Sequence, residues 1–380
     1  MNYFITGATG FIGRFLVAEL LKRKDARIYV LVRTGSERKF NRLRIQTGAR
    51  ADQLIAISGD LTAPALGIAE EDRARLQQVS HFFHLAAIYD LQADAASQQR
   101  SNIDGTRNAL RAAEAMAAGC FHHVSSIAAA GLYPGQFRED MFDEATGLND
   151  PYFVTKHEAE KLVRLESRIP FRIYRPSMVV GHSQTGEMDK ADGPYYLFRV
   201  MRQLQRWLPR WLPLVGLEGG FFNMVPVDFV ARALDRIAHL PALDGQCFHL
   251  TAHRNYSLGE LMNIVADVAH APRAAWQISN QWLEQPPGRL VKAATTTGPV
   301  RWLAQKALQR LDVPVAMLSF LTYPVTFATT NTDAALAGTD IQAPDLETYI
   351  RPLWDYWNEQ LEPAQPPRHF RHHFRTERHD

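Results

Sequence analysis

Short apolar runs alternate with amphipathic segments through the first half of the chain. The apolar runs predict β-strands at 2–6, 27–32, 54–58, 81–85 and 121–125. Between them, 12–24 carries Ile12, Leu16 and Leu20 on one helical face, and 106–118 is rich in alanine and leucine. Strands that alternate with helices in this way imply a parallel sheet with helices on both faces, the doubly wound Rossmann α/β class.

The alternation loosens after Arg175-Pro176, where a Gly/Asp-rich loop leads into a mixed aromatic and basic helix over 195–211. The patterns at 225–240 and 246–251 resemble a return to the α/β sheet. We therefore predict a smaller, mainly helical substrate lobe beside the sheet. The predicted division is a Rossmann domain at 1–180, a substrate-lobe or lid segment at 181–224, a return to the sheet at 225–252, a C-terminal substrate lobe at 253–362 and a basic, disordered tail at 363–380.

Composition narrows the class of protein. The 380 residues are 46% hydrophobic and 22% charged, with a formal net charge of +2, which argues against nucleic acid as the partner. The two cysteines, Cys120 and Cys247, match no metal or redox spacing and fit a reducing cytoplasm. A strand follows Met1 almost at once, and no run of about 18 apolar residues occurs, so neither a leader nor a membrane span is expected.

A glycine-rich turn separates the first predicted strand from the first predicted helix. It reads Thr6-Gly7-Ala8-Thr9-Gly10-Phe11-Ile12-Gly13, a Gly-x-x-Gly-x-x-Gly variant of the dinucleotide fingerprint. Such glycines let the backbone approach a pyrophosphate whose charge meets the helix N-terminus. A turn without a ligand is the plain alternative, but the strand before it and the helix after it favour a dinucleotide site. The predicted cofactor contacts here are Gly7, Thr9, Gly10, Phe11, Ile12 and Gly13.

The end of the second strand indicates which dinucleotide is bound. An acidic residue there would bind the ribose 2′-hydroxyl of NAD, whereas arginine accommodates a 2′-phosphate. This chain has Arg33, with Arg42 further on, and no aspartate at that place. A solvated basic loop is the alternative, and the pattern favours NADPH.

Further ligand-facing positions are predicted where strands end or helices begin, because those loops collect at one edge of an open α/β sheet. Each position alone is weak evidence for cofactor binding, since Asp60 could be only a turn residue and Asn102 only a helix cap. The positions are Asp60, Leu61, Ala86, Ala87, Asn102 and Ser125.

Candidate catalytic residues follow the fifth strand. Tyr152 and Lys156 are four residues apart and would share one helical face. A nearby ammonium is expected to lower the pKa of the Tyr152 phenol towards working pH, as acid–base catalysis requires. Ser126, at a strand end, could hold a substrate carbonyl oxygen. Tyr-x-x-x-Lys alone is often a chance match, but its order after the glycine turn and Ser125-Ser126 favours a reductase.

Together these motifs resemble those of the extended short-chain dehydrogenases/reductases. That resemblance implies that Ser126, Tyr152 and Lys156 form the catalytic group and that Tyr152 and Lys156 also contact the cofactor, with Lys156 holding the nicotinamide ribose. Tyr174-Arg175-Pro176-Ser177-Met178-Val179-Val180-Gly181 resembles the segment beside the nicotinamide, which implies cofactor contacts at Pro176, Met178 and Val179.

Longer strings resemble the N-terminal domain of two-domain bacterial fatty acyl-CoA reductases. They are His122 to Gly131, Phe137 to Phe142 and Gly186 to Lys190. The resemblance implies NADPH-dependent reduction of fatty acyl-CoA to aldehyde or of fatty aldehyde to alcohol, without a metal. It also implies a second reductase domain or protein as a partner, because the chain stops near where that second domain would begin.

Two alternative functions remain open on the sequence alone. One is a nucleotide-sugar epimerase or dehydratase on the same scaffold, against which Arg33 argues, and another is a non-catalytic NADP-binding regulatory protein. The aromatic and basic segment 195–211 is expected to be a lid over an acyl pocket, with peripheral membrane contact left open. The tail histidines could bind a metal but are expected to do nothing structural; they are His369, His372, His373 and His379.

Overall fold

The computed structural model describes residues 1–76, 78–87, 94–190, 193–278 and 323–362. Its centre is a parallel sheet of seven described strands in the order β12-β7-β5-β4-β1-β2-β3. This order is that of a doubly wound Rossmann fold and confirms the predicted class. The strands of this sheet are β1 (Asn2–Thr6), β2 (Arg27–Val32), β3 (Leu54–Ser58), β4 (His81–His84), β5 (Cys120–Val124), β7 (Phe171–Pro176) and β12 (Cys247–Leu250).

Helices cover both faces of the sheet, which is why its strands are continuous apolar runs. On β1, Tyr3 and Ile5 point into one buried layer and Phe4 into the other. The described α-helices are α1 (Phe11–Leu20), α2 (Glu37–Thr47), α3 (Glu70–Arg75), α4 (Ala95–Gln98), α5 (Gly105–Ala115), α6 (Pro151–Glu166), α7 (Tyr196–Trp207), α8 (Val227–Ala238), α9 (Leu258–Ala269), α10 (Thr330–Leu336) and α11 (Leu346–Tyr356). The layer around Tyr3 is completed by α1 and α8, and the layer around Phe4 by α5 and α6.

Two predicted helices end earlier than the sequence pattern suggested. The first stops at Leu20 instead of residue 24, and Asp25 then adopts a positive φ of 61°. The other stops at Ala115 instead of residue 118, because Ala117 turns into the left-handed region at φ 48° and the Ala118 amide bonds back to Ala113. In both cases the backbone reverses towards the next strand before the apolar pattern ends.

A second, mainly helical cluster lies beside the sheet. The side chains of α7, α9 and α11 form its core, with Phe198, Leu261 and Trp354 among the buried members. Two pairs of short strands, β9 with β14 and β10 with β13, contact α9. The short strands of the described chain are β6 (Gly135–Phe137), β8 (Met178–Val180), β9 (Leu214–Leu217), β10 (Phe221–Phe222), β11 (Met224–Pro226), β13 (Tyr256–Ser257), β14 (Ala274–Ile278) and β15 (Val325–Phe327).

A buried carboxylate joins distant parts of the chain. Glu139 is 4% exposed and accepts hydrogen bonds from the His249 amide at 2.8 Å, the Asn331 amide at 2.5 Å and the Thr332 hydroxyl at 2.8 Å. These bonds hold α10 against β12 at the edge of the sheet. Thus α10, which belongs to the segment predicted as a C-terminal substrate lobe, packs on the Rossmann sheet. The domain bounds themselves stay a prediction. The predicted tail at 363–380 lies outside the described residues.

Candidate active site

The crevice at the reversal of strand order is formed by the ends of β1 and β4. These strands are neighbours in the sheet, and the chain leaves them towards opposite sides. Gly7, just after β1, has φ 79° and approaches the chain beyond β4 so closely that a Cβ would lie 2.6 Å from the Ala86 nitrogen. Ala86 is half-buried and Ala87 exposed, so both predicted contact positions lie on this crevice.

The N-terminus of α1 is shaped for an anion. Gly10 precedes the helix as its N-cap and offers no side chain to the first-turn amides, and no acidic residue lies in that turn. A Cβ on Gly13 would collide with the Gly7 carbonyl oxygen and lie 2.7 Å from the Ala8 Cα. The tight turn therefore requires glycine, and its free amides fit the pyrophosphate of a dinucleotide. The remaining predicted contacts of this turn, Thr9, Phe11 and Ile12, are half-buried along it.

Charged side chains lie near the carboxyl ends of β2 and β3. Arg33 and Arg42 are both exposed. Hydrogen bonds from the Thr62 amide and hydroxyl, together with the charge of Arg33, lower the pKa of Asp60. The structure therefore brings Arg33 and Asp60 near each other at the end of the crevice where the second strand meets a dinucleotide.

Two other predicted contacts are held by α5 and α6. Leu61 packs against Gly105 so closely that a Cβ there would lie 2.8 Å from its side chain. Asn102 is buried and donates to the Thr155 hydroxyl at 3.2 Å. This bond fixes the segment before α5 to the helix that carries the catalytic candidates.

The three catalytic candidates are carried by two neighbouring elements: Ser126 lies directly beyond β5, and Tyr152 and Lys156 lie on α6. Asp150 caps α6 by accepting from the Tyr152 amide at 2.8 Å, and Pro151 takes the first helical position. Tyr152 and Lys156 then follow one turn apart. Ser126, directly beyond β5 and its neighbour Ser125, hydrogen-bonds through its side chain to the Tyr152 phenol. The predicted grouping of serine and tyrosine is thus present.

The predicted lowering of the Tyr152 pKa is wrong. Burial raises the pKa of Tyr152, and the charge of Asp150 adds to that effect, while the hydrogen bond from Ser126 opposes it. Lys156 instead donates to the Val124 carbonyl at 3.2 Å. Burial also lowers the pKa of Lys156 to about 8 against the opposing charge of Glu160. The phenol is therefore held in its protonated form, the form that can donate a proton.

A buried ionic network lies directly beneath Lys156. Glu160, one turn further along α6, and Arg175 on β7 are both fully buried and paired, with their atoms 2.6 Å apart. Burial would raise the pKa of Glu160, but Arg175 and Arg164 hold it well below its usual range. Ser125 donates to Glu160 at 2.8 Å, so the side chain of this predicted cofactor contact belongs to the network.

The segment predicted to lie beside the nicotinamide joins the two hydrophobic clusters. Pro176 ends β7, and the half-buried Met178 and Val179 lie on β8, which pairs with β11. Val179 packs against the sheet cluster, whereas Met178 and Phe11 pack against the helical one. The helical cluster thus reaches the predicted cofactor segment.

The loop after β8 is tied back to α1. Arg14, in the first turn of α1, forms ion pairs with Glu187 and Asp189, the second at 2.7 Å. Its guanidinium also lies over the rings of Phe11 and Phe15. This contact connects the Gly186 to Lys190 string with the dinucleotide turn.

Several residues of the site were missed from the sequence. Glu160 could have been recognised as the third member of the Tyr152 and Lys156 face, since it follows at the same spacing. The buried Tyr323, far along the chain, lies close enough for a charge on Tyr152 to raise its pKa. His84 bridges Thr6 and Thr106 with hydrogen bonds of 2.7 and 3.0 Å, a contact that no motif indicated.

The described residues were also compared with the sequence for metal ligands, cysteine pairing and membrane-spanning helices. Among the described residues, no group of three potential metal ligands is found, and the tail histidines lie outside them. Both cysteines are free and buried. No helix in the described ranges is both long and apolar enough to cross a membrane.

This fold and site define an NAD(P)-dependent reductase of the extended short-chain dehydrogenase/reductase type. The chain belongs to the male sterility protein family, whose model matches residues 5–234.

Related proteins are reductases and large synthetases. The non-canonical nonribosomal peptide synthetase FrzA of Cladobotryum sp is 30% identical over 376 residues, which cover 91% of this chain and 35% of that protein. The aldehyde reductase lnaA of Aspergillus flavus is 29% identical over 315 residues, 74% of this chain and 29% of that protein. The chain spans between 5% and 35% of the length of the first curated relatives it matches.

A solved structure agrees over nearly the whole fold. The terminal R domain from the myxalamid PKS-NRPS biosynthetic pathway superposes with a TM-score of 0.72 at 26% identity, covering 94% of this chain and 90% of that domain.

Proposed function

We propose that this chain is an NADPH-dependent reductase of long-chain fatty acyl substrates. It would reduce a fatty aldehyde to a fatty alcohol, a fatty acyl-CoA to an aldehyde, or both. The observation that carries the proposal is the hydrogen-bonded pair of Ser126 and Tyr152, with Lys156 one turn beyond, beside a glycine turn shaped for a dinucleotide.

The cofactor proposal rests on two parts of the crevice. Gly7, Gly10 and Gly13 shape a turn whose amides would hold the pyrophosphate. Arg33 and Arg42, exposed beyond β2, would meet the 2′-phosphate that distinguishes NADPH from NADH. When bound, NADPH supplies a hydride for the carbonyl carbon of the substrate.

The chain's own residues would handle the oxygen and the proton. Ser126 would donate a hydrogen bond to the carbonyl oxygen, and Tyr152 would deliver the proton that the oxygen needs once it gains negative charge. A raised pKa suits this role, because the phenol keeps its proton until the oxygen becomes basic. Lys156, with a pKa of about 8, would be mostly an ammonium at neutral pH and would stabilise that negative charge.

The proposed substrate class is supported by the apolar cluster beside the site. Phe11 and Met178 link the cofactor segments to the core formed by α7, α9 and α11. The half-buried Phe11 and Met178 would offer apolar surface beside the cofactor segments, which would favour an acyl chain over a sugar. A thioester would accept hydride to give a hemithioacetal, which would collapse to aldehyde and free thiol. A second hydride and proton would then give the alcohol.

The test follows NADPH oxidation with hexadecanal and, separately, with palmitoyl-CoA, and identifies the products by chromatography. Tyr152→Phe should abolish turnover and leave NADPH binding nearly unchanged. Tyr133→Phe, a half-buried tyrosine in the same hydrophobic cluster, is the matched control and should stay active. Activity with neither substrate would refute the lipid proposal. Release of tightly held NAD on denaturation would then favour the epimerase alternative.

A further inference from the structure

Three tryptophans are exposed at the end of α7, in the loop that follows it and on β14, which pairs with β9. Trp207 is 70% exposed, Trp211 78% and Trp276 62%. Tryptophan carries up to about 250 Å² of surface, so the three expose on the order of 500 Å². That area is comparable with the largest apolar patches that monomeric proteins carry, and such patches are often functional.

The local structure explains why these tryptophans are exposed. In α7, Phe198 and Met201 fill the buried face, and the helix ends at Trp207. The chain then turns through a loop containing Trp211 and enters β9. There Val215, 64% exposed, pairs with Trp276 on β14. The end of α7, the loop after it and the paired strands β9 and β14 therefore follow one another and each carries an exposed apolar side chain. We call these four residues the tryptophan edge (Trp207, Trp211, Val215 and Trp276).

Basic residues lie among these side chains. Earlier in α7, Arg199 and Arg202 are committed to ion pairs with Glu362. Further along, Arg206 and Arg210 are exposed beside Trp207 and Trp211. Arg273, at the start of β14, is exposed as well and pairs with Asp267 at 3.3 Å. The tryptophan edge is thus bordered by positive charge.

We infer that the tryptophan edge is a membrane-contact surface that binds anionic lipid headgroups. Tryptophan side chains favour the boundary between water and hydrocarbon, and arginines beside them attract acidic headgroups. The aromatic positions are spread over three different elements, an arrangement that suits a deformable lipid surface better than a rigid groove. This places the contact at the end of α7, because the face of that helix carrying Phe198 and Met201 is used inside the protein.

The test measures binding of the full chain to vesicles. We expect co-sedimentation with vesicles of phosphatidylglycerol and phosphatidylcholine, together with a shift of tryptophan emission to shorter wavelength. Replacing Trp207, Trp211 and Trp276 by serine should reduce binding at least tenfold. The matched control replaces Ile45 and Leu165 by serine; they are 79% and 75% exposed but lie outside the tryptophan edge, so binding should stay unchanged.

A charge variant separates the electrostatic part of the binding. Each basic residue near an anionic surface changes binding roughly fivefold, so Arg206→Gln with Arg210→Gln should weaken it by about 25-fold. Added salt should weaken wild-type binding in the same direction.

Three outcomes would overturn the inference. One is absence of wild-type binding to the anionic vesicles, and another is equal binding by the triple serine variant. The third is a wild-type dimer that the triple variant converts to a monomer without any vesicle binding, which would make the surface an interface between copies. None of these measurements depends on NADPH oxidation, so they stand apart from the proposed function.

Discussion

Replacing Glu160 by glutamine should strongly destabilise the protein. The carboxylate and its partner Arg175 are both fully buried, and the same carboxylate also accepts from Ser125 and Arg164. An amide keeps the shape but loses the charge and one acceptor oxygen, so the Arg175 guanidinium is left as an uncompensated buried charge. Breaking a buried pair in this way costs about 3–5 kcal/mol. Domains of ordinary stability have only about 5–15 kcal/mol in total.

The assay is urea unfolding at pH 7, followed by intrinsic fluorescence and circular dichroism. Arg175 and Arg164 outweigh the effect of burial and hold the folded-state pKa of Glu160 below the ordinary value of 4.5. The contribution of this carboxylate to stability is therefore complete above that value and declines only in acid. The matched control is Glu166→Gln at the end of the same helix, where a 46% exposed carboxylate lies 3.6 Å from Arg107. A surface pair contributes about 0–1 kcal/mol. Equal losses in the two variants would refute the reasoning.

Three further predictions concern the site itself. Burial lowers the pKa of Lys156 to about 8. Because the ammonium loses its proton as the pH rises, kcat/KM should fall above about pH 8. A profile that stays flat to pH 10 would contradict a role for this charge. Glu160→Gln removes the charge that raises this pKa, so the fall should begin at lower pH. Gly13→Ala forces a Cβ against backbone atoms of the glycine turn, so it should weaken NADPH binding, measured by titration. It should also lower the free energy of unfolding by about 1–3 kcal/mol. Unchanged NADPH affinity would argue against the turn as the pyrophosphate site. Arg33→Asp should lower NADPH affinity selectively over NADH, and an unchanged preference would argue against Arg33 as the phosphate contact.

The first half of the fold could be predicted because its strands are buried on both faces. The predicted bounds of β1, β2 and β3 agree with the structure residue for residue. Their apolar runs mark them as strands of a sheet covered by helices, and the glycine turn after β1 marks where that strand ends. The helix ends were predicted less well, since Asp25 and Ala117 reverse the chain through positive φ values that neither residue type indicates.

Part of the candidate site was predictable from the sequence, namely the part whose contacts are local. Tyr152 and Lys156 share a helix, so spacing alone places them together. The partner of Glu160 lies on β7, and Tyr323 reaches the site from far along the chain, so both contacts exist only after the sheet has formed. The direction of the Tyr152 pKa was predicted wrongly for the same reason, because burial is a property of the assembled site and outweighs the neighbouring groups.

The hydrogen bonds of Glu139 limit how this protein can be truncated or used in a domain exchange. Its carboxylate lies on the first half of the chain, while two of its partners, Asn331 and Thr332, follow about 190 residues later. During synthesis α10 must therefore emerge before these hydrogen bonds can form. A fragment ending at residue 252 would keep the His249 amide as a donor to this carboxylate and lose the donors of Asn331 and Thr332. A segment of this reductase chosen for a fusion or a domain exchange should therefore include α10, which follows the last strand of the seven-stranded sheet.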